Sequence, residues 1–123
     1  MNSNLPVYLQ IIEALENDII AEVYITDALA PSAAQIAKKY AVNPATAIKA
    51  LGRLAEAGLL YRKRGVGMYL AAGAREKIVR RRKEALLNDT LPALLEEAGR
   101  LGIAPEQLAG MLRGLRGRRL HGE

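Results

Sequence analysis

The sequence predicts a mainly α-helical fold with a small antiparallel β wing: an N-terminal helix-turn-helix and its wing, followed by a C-terminal α-helical hairpin. Three observations predict it. Two helix-start signals, at Ser32 and Asn43, each precede a short run of apolar residues at helical spacing. Two β-prone runs, Leu59-Leu60-Tyr61 and Met68-Tyr69-Leu70, bracket a basic tip containing Gly65 and Gly67. After Gly73 the chain becomes leucine-rich with coiled-coil-like spacing.

The first helix is expected from about Pro6 to Ala21, with Pro6 suited to the first turn. Tyr8, Ile11 or Ile12, Leu15 and Ile19 recur at helical steps and form its inner stripe, leaving Glu13, Glu16, Asn17 and Asp18 on the wetter side. Val23-Tyr24-Ile25 is a β-prone run, a candidate third, edge strand. Ser32 with Gln35 three residues later has the form of a capping box, in which each side chain satisfies an orphan amide. Ile36 and Ala37 give the second helix its inner face, extended by Tyr40 or Ala41.

Asn43-Pro44 opens the third helix, because Asn accepts a free amide and Pro at the first position loses nothing by lacking its N–H. Ala47, Ala50, Leu51 and Leu54 recur at three- and four-residue steps and face inward. Ala45, Thr46, Lys49 and Arg53 fall on or near the other side. Small residues first and cations later suit a helix over 43–55 entering a major groove: the first permit close approach, the second neutralise phosphates or reach guanine edges. In the wing, 62–67, strand alternation sends Arg62 and Arg64 to one face and Lys63 to the other, while Gly65 and Gly67 permit positive φ and close approach to a sugar–phosphate backbone. These cations supply affinity and salt dependence more than sequence choice. The Gly-Val-Gly here lacks the strand-to-helix setting of a phosphate loop.

One long helix is expected from Ala74 to Leu101, disturbed at Pro92. Its first turns carry Arg75, Lys77, Arg80, Arg81, Arg82 and Lys83, either a phosphate-reaching patch or a solvated face. Leu87, Leu91, Leu94, Ala98 and Leu101 follow in steps of four and three, widened by Leu86 and Leu95. Gly102 and Pro105 mark a turn into a short helix whose apolar side is Leu108, Met111, Leu112 and Leu115. A hairpin this small leaves apolar surface uncovered, so two chains are expected to pair through it as a homodimer. The expected organisation is a helix-turn-helix unit over 1–72, a helical dimerisation region over 73–116 and a disordered tail over 117–123.

Composition excludes several classes of function. The chain has no Cys, which removes disulfides, thiolate nucleophiles and zinc–cysteine sites, and its one His is His121, near the end. No Ser/His/Asp set or metal cluster can be assembled, so no enzyme, metal or cofactor is expected. Charge is informative by segment: residues 1–31 hold five acids and no Lys or Arg, residues 32–70 hold seven bases against Glu56, and residues 71–123 hold eleven bases against seven acids. Positive charge begins where the helix-turn-helix begins, the electrostatic footprint of a nucleic-acid face. Met1-Asn2-Ser3-Asn4 has no basic targeting region and no apolar run approaches a membrane span, so a cytoplasmic protein with no membrane partner is expected.

The pattern resembles the GntR family of bacterial transcription regulators, and within it the short YtrA-like branch. The resemblance is carried by Pro6-Val7-Tyr8-Leu9-Gln10-Ile11-Ile12, Pro31-Ser32, Ile36-Ala37, Val42-Asn43-Pro44-Ala45-Thr46, Arg53-Leu54, Glu56-Ala57-Gly58-Leu59-Leu60 and Arg64-Gly65-Val66-Gly67. It implies a winged helix-turn-helix that binds palindromic double-stranded operator DNA as a dimer, and repression of a nearby operon. The DNA-facing residues would be Ser32, Asn43, Pro44, Ala45, Thr46, Lys49, Arg53, Arg62, Lys63, Arg64, Gly65 and Gly67; dimerisation would use Leu87, Leu91, Leu94, Ala98, Leu101, Leu108, Met111 and Leu112. A small-molecule effector, of unknown identity, would bind at the dimer interface or between hairpin and winged helix. The sequence departs from the family pattern at Ala34, where an Arg is usual, at Ala30, where Leu is usual, and in Glu22–Asp27, where a Gly-rich loop is usual. These departures shift the expected contacts toward Lys49, Arg53 and the wing. The alternative is a winged helix serving protein or RNA contact through the leucine seam over 87–101. The cationic outer face of residues 43–53 and the scarcity of exposed aromatic platforms weigh against it.

Overall fold

The computed structural model describes residues 4–122, with side chains to residue 118. Its elements run α1 (Val7–Ile20), α2 (Ala33–Tyr40), α3 (Pro44–Glu56), β1 (Leu60–Lys63), β2 (Gly67–Leu70), α4 (Ala74–Ala85), a π turn (Leu86–Thr90), α5 (Leu91–Arg100) and α6 (Pro105–Gly122). They fall into two compact units, Met1–Arg81 and Arg82–Glu123.

Both local start signals form as their chemistry requires. Ser32 Oγ accepts from the Gln35 amide at 3.1 Å while Gln35 Oε1 accepts from the Ser32 amide at 2.9 Å, a complete capping box. Asn43 Oδ1 accepts from the Ala45 amide at 2.8 Å, with Pro44 at the first helical position of α3. Between the two helices Ala41 adopts the left-handed conformation (φ 53°, ψ 50°) and the Val42 amide reaches back to Ala37 O at 3.0 Å, closing α2 and redirecting the chain. Pro6 sits one residue ahead of α1 and not in its first turn.

The first unit has one core. Ile11, Leu15 and Ile19 of α1 meet Ile36 of α2, the inner stripe Ala47, Ala50, Leu51 and Leu54 of α3, and Leu59, Leu60 and Leu70 around the wing. Two small residues at the heart of α3, both fully buried, let the helices approach closely. Ala74 and Ile78 of α4 are buried in the same core, so the boundary expected at 72/73 moves to Arg81: the first two turns of α4 belong with the winged unit. Glu16, expected on the wet side, is 4 % exposed, because Arg81 of α4 reaches its carboxylate.

The wing is an antiparallel pair, Leu60 opposite Leu70, Tyr61 opposite Tyr69, Arg62 opposite Met68 and Lys63 opposite Gly67. The third, edge pairing comes from Asp27–Ala30 and not from Val23-Tyr24-Ile25: Leu29 bridges Tyr69, the Leu70 amide donates to Ala28 O at 2.9 Å, and the Ala30 amide to Met68 O at 2.8 Å. Residues 23–25 are spent turning out of α1, where Glu22 takes a positive φ and the Val23 amide returns to Asp18 O.

In the second unit the expected disturbance at Pro92 is a π turn. Pro92 has no N–H to give Asn88 and its ring crowds that carbonyl; the strain is taken up just upstream, where the Leu91 amide bonds Leu86 O, five residues back. Ala98 is buried within its own chain, whereas Leu94, Leu101, Met111 and Leu112 are exposed and Leu91 and Leu108 half-buried. The turn after α5 is closed by the Ile103 amide on Ala98 O at 2.8 Å. The tail expected to be disordered over 117–123 is helical as far as Gly122, where α6 ends; Arg116, Arg118 and Arg119 are good helix formers. The side chain of His121 lies outside the described residues.

Candidate nucleic-acid interface

α3 turns its apolar stripe to the core and its opposite face to solvent, which leaves Ala45, Ile48, Lys49, Arg53 and Glu56 exposed and Thr46 half-buried. The caps Ser32 and Asn43 have their side-chain oxygens engaged by backbone amides, so their first task is to fix where α2 and α3 begin.

The two cations of α3 are not loose. Lys49 Nζ lies 4.0 Å above the ring centroid of Tyr8 and Arg53 Cζ lies 5.7 Å from it. Tyr8, read from sequence only as part of the inner stripe of α1, is thus a half-buried platform that holds both cations against the outer edge of α3. No local pattern announces this, because the partners are far apart in sequence and meet only once α1 packs on α3.

The wing completes the cationic surface. Arg62, Lys63 and Arg64 are all exposed. The expected alternation is present in the strand: Lys63 Nζ lies 5.3 Å from the Tyr69 ring, on the face where Tyr61 and Tyr69 stack, while Arg62 lines a cleft of about 380 Å³ with Ser32, Ala33, Ile48, Val66 and Gly67. That cleft sets the wing beside the outer edge of α3. Gly65 (φ 73°) and Gly67 (φ 124°) both take positive φ, which turns the tip tightly between Lys63 and Met68. Behind the wing, Tyr61 Oη donates to Asp27 Oδ1 at 2.8 Å, and this bond to the carboxylate raises the Tyr61 pKa above its ordinary value.

The basic run of α4 has a different use. Arg75 Nε donates to Ile20 O at 2.8 Å at the end of α1, Lys77 Nζ donates to Ala57 O at 2.7 Å at the end of α3, and Arg81 Nη2 lies 2.6 Å from Glu16 Oε2. Each places a cation where a helix C-terminus or a buried carboxylate presents negative charge. Three of the six cations in this run are therefore committed inside the winged unit.

Two further residues of α3 escaped the sequence reading. Ile48 is 61 % exposed, although an apolar residue inside a periodic run is ordinarily core. Gly52 lies on the same side, and a Cβ built there would meet nothing within 4 Å.

Among the described residues no group of three His, Asp or Glu side chains is placed to hold a metal, and no helix is long and apolar enough to cross a membrane. The void inside the core, lined by Leu15, Ile19, Leu51 and Leu60, is only about 10 Å³, room for no more than a water.

Known proteins share both sequence and shape with this chain. The family model described as bacterial regulatory proteins, gntR family, matches residues 7–70. An uncharacterised HTH-type transcriptional regulator of Bacillus subtilis, YhcF, is 26 % identical over 106 residues, covering 86 % of each chain. A GntR-family transcriptional regulator from Listeria monocytogenes superposes with a TM-score of 0.74 at 24 % identity, over 93 % of this chain and 98 % of its own. One from Bacteroides thetaiotaomicron gives 0.73 at 28 % identity, over 91 % and 98 %. The DNA-binding domain of AraR, solved in complex with operator ORR3, gives 0.52 at 31 % identity, over 55 % of this chain and 81 % of that one. These relatives are transcriptional regulators and not enzymes. With its family match spanning more than half of its length and its winged helix-turn-helix built on that family's pattern, the chain belongs to the GntR family of bacterial regulatory proteins.

Proposed function

We propose that this regulator is a repressor of the YtrA-like branch, acting in the cytoplasm as a homodimer on a palindromic operator. One observation carries the reading: α3 presents Lys49 and Arg53, both held over Tyr8, beside a wing carrying Arg62, Lys63 and Arg64. An exposed helix flanked by an exposed basic hairpin fits a duplex, with α3 in the major groove and the wing against the adjacent backbone. Ala45, Thr46, Lys49 and Arg53 would face the bases and nearby phosphates, and Gly65 and Gly67 would let the wing backbone come close. AraR, whose corresponding domain is solved on its operators, supports that placement.

The homodimer rests on the second unit. Leu86, Leu87, Leu94, Leu95, Leu101, Met111 and Leu112 are exposed on this one small helical unit, and apolar surface gathered in this way is characteristic of a protein–protein contact. A two-fold pair would present two α3 helices to two half-sites. An effector would act through this pairing, by changing the spacing of the two α3 helices.

The test is a salt series of binding to the DNA upstream of its own gene, with unrelated DNA as control. A footprint over two half-sites about one helical turn apart that survives physiological salt supports the reading. Equal binding to both fragments that vanishes as salt rises leaves only a basic surface and refutes it.

A further inference from the structure

α3 carries a strip of its exposed surface with no polar side chain. Ala45 and Ile48, both exposed, and Gly52, half-buried, follow at steps of three and four; Lys49 is next to Ile48 along α3, and Arg62 of the wing shares a cleft with it. Two of these residues are anomalies for a solvated helix face. Ile48 leaves 61 % of its surface in solvent next to the open cleft under the wing, where a charged residue would be at no disadvantage. Gly52 sits inside a helix that glycine weakens, yet it keeps helical φ and a Cβ there would touch nothing in the chain. The fold does not need either residue. Room for an external surface, and an apolar contact on it, account for both.

Within the reading that α3 enters the major groove, we infer that Ile48 selects thymine, by packing its branched side chain on the C5-methyl group. The missing side chain at Gly52 lets the helix come close enough to make that contact. The C5-methyl of thymine is the one methyl group a base pair shows in the major groove; cytosine has only a C5–H at the corresponding place, beside its N4 donor, and the other groups there donate or accept hydrogen bonds and would lose solvation against an isoleucine. Nearby cations point to a polyanion and not an apolar protein surface as the occupant: Lys49 follows Ile48 on α3, Arg62 lines the cleft, and Lys63 and Arg64 are exposed further along the same wing. The strip thus adds base choice to a surface whose cations supply mainly attraction.

The experiment uses the full chain and needs no known operator. A preferred duplex is selected from a randomised pool, and each thymine in it is then replaced by deoxyuridine, which removes the methyl and nothing else. Burial of one methyl is worth about 0.8 kcal/mol, so deoxyuridine at the contacted position is expected to weaken binding about fourfold. Ile48→Ala is expected to bind the thymine and deoxyuridine duplexes equally, while keeping the salt dependence of the native chain. Gly52→Ala, which the fold accommodates, is expected to weaken binding to the selected duplex far more than to random DNA. A deoxyuridine scan without effect at any position overturns the inference, as does an Ile48→Ala variant that still discriminates fully. If no sequence is enriched from the pool, the operator-binding reading fails, and this inference with it.

Discussion

Arg81→Ala removes the cation that lets a carboxylate sit in the interior of the winged unit. Glu16 is 4 % exposed and Arg81 Nη2 lies 2.6 Å from Glu16 Oε2. Breaking a fully buried pair costs about 3–5 kcal/mol, and losing a hydrogen bond to a charged group about 1.5–3. The Arg81 side chain is 54 % exposed, so water reaches the carboxylate once the arginine is gone, and the lower range applies. A loss of about 2 kcal/mol follows, equivalent to roughly 8–16 °C in Tm for a unit of this size. Urea denaturation followed by circular dichroism should show a lower midpoint with unchanged slope. Adding Glu16→Gln to Arg81→Ala should recover part of the loss, because the charge that required a partner is gone. An Arg81→Ala protein within 0.5 kcal/mol of the native chain would refute the reasoning, since Glu16 would then be stabilised without α4.

Tyr8→Ala should weaken specific DNA binding severalfold while Tyr8→Phe changes it little, because the ring face and not the hydroxyl holds Lys49; equal effects by fluorescence anisotropy would remove the platform role. Lys49→Ala should weaken binding strongly and lower the salt slope by about one, whereas Ala34→Arg should strengthen it; no effect from Lys49→Ala would show that α3 faces elsewhere. Leu94→Asp should yield monomers by light scattering and weaken operator binding; retained dimers would place the interface outside the leucine surface. The Tyr61 hydrogen bond to Asp27 favours the neutral phenol, so its contribution is complete below the ordinary tyrosine pKa and is lost as pH rises through the higher folded value. Asp27→Asn should move that step in an ultraviolet titration downward, and an unmoved step would assign the shift to another cause.

Elements whose signals are local were legible from sequence. Ser32 and Asn43 cap the helices they precede, Ala47, Ala50, Leu51 and Leu54 are all buried, and both strands of the wing pair at the expected place. Each rests on residues within one or two turns of each other. What the sequence hid depends on distant partners. Glu16 looks like a surface acid until Arg81 packs over it, and Tyr8 looks like core until Lys49 arrives above it. Val23-Tyr24-Ile25 has the better β propensity, yet Asp27–Ala30 pairs, because leaving α1 consumes the earlier residues. The basic run of α4 was ambiguous for the same reason: only the fold shows carbonyls of Ile20 and Ala57 within reach of Arg75 and Lys77. Ile48 was hidden in a different way, since apolar residues on both sides of α3 blur a periodicity that assigns them all inward.

The placement of Arg75, Lys77 and Arg81 also limits how this surface can be adjusted. Within two turns, α4 grips the end of α1, the end of α3 and a carboxylate midway along α1. Three attachment points on two helices fix a body in space. A torque delivered along α4 therefore loads α1 at two points and the end of α3 at a third, and so acts on both helices at once. An adjustment of this surface that arrives through α4 thus meets the two helices behind the cationic face before it meets the wing, much as a hand turns a key by its bow and not by its teeth.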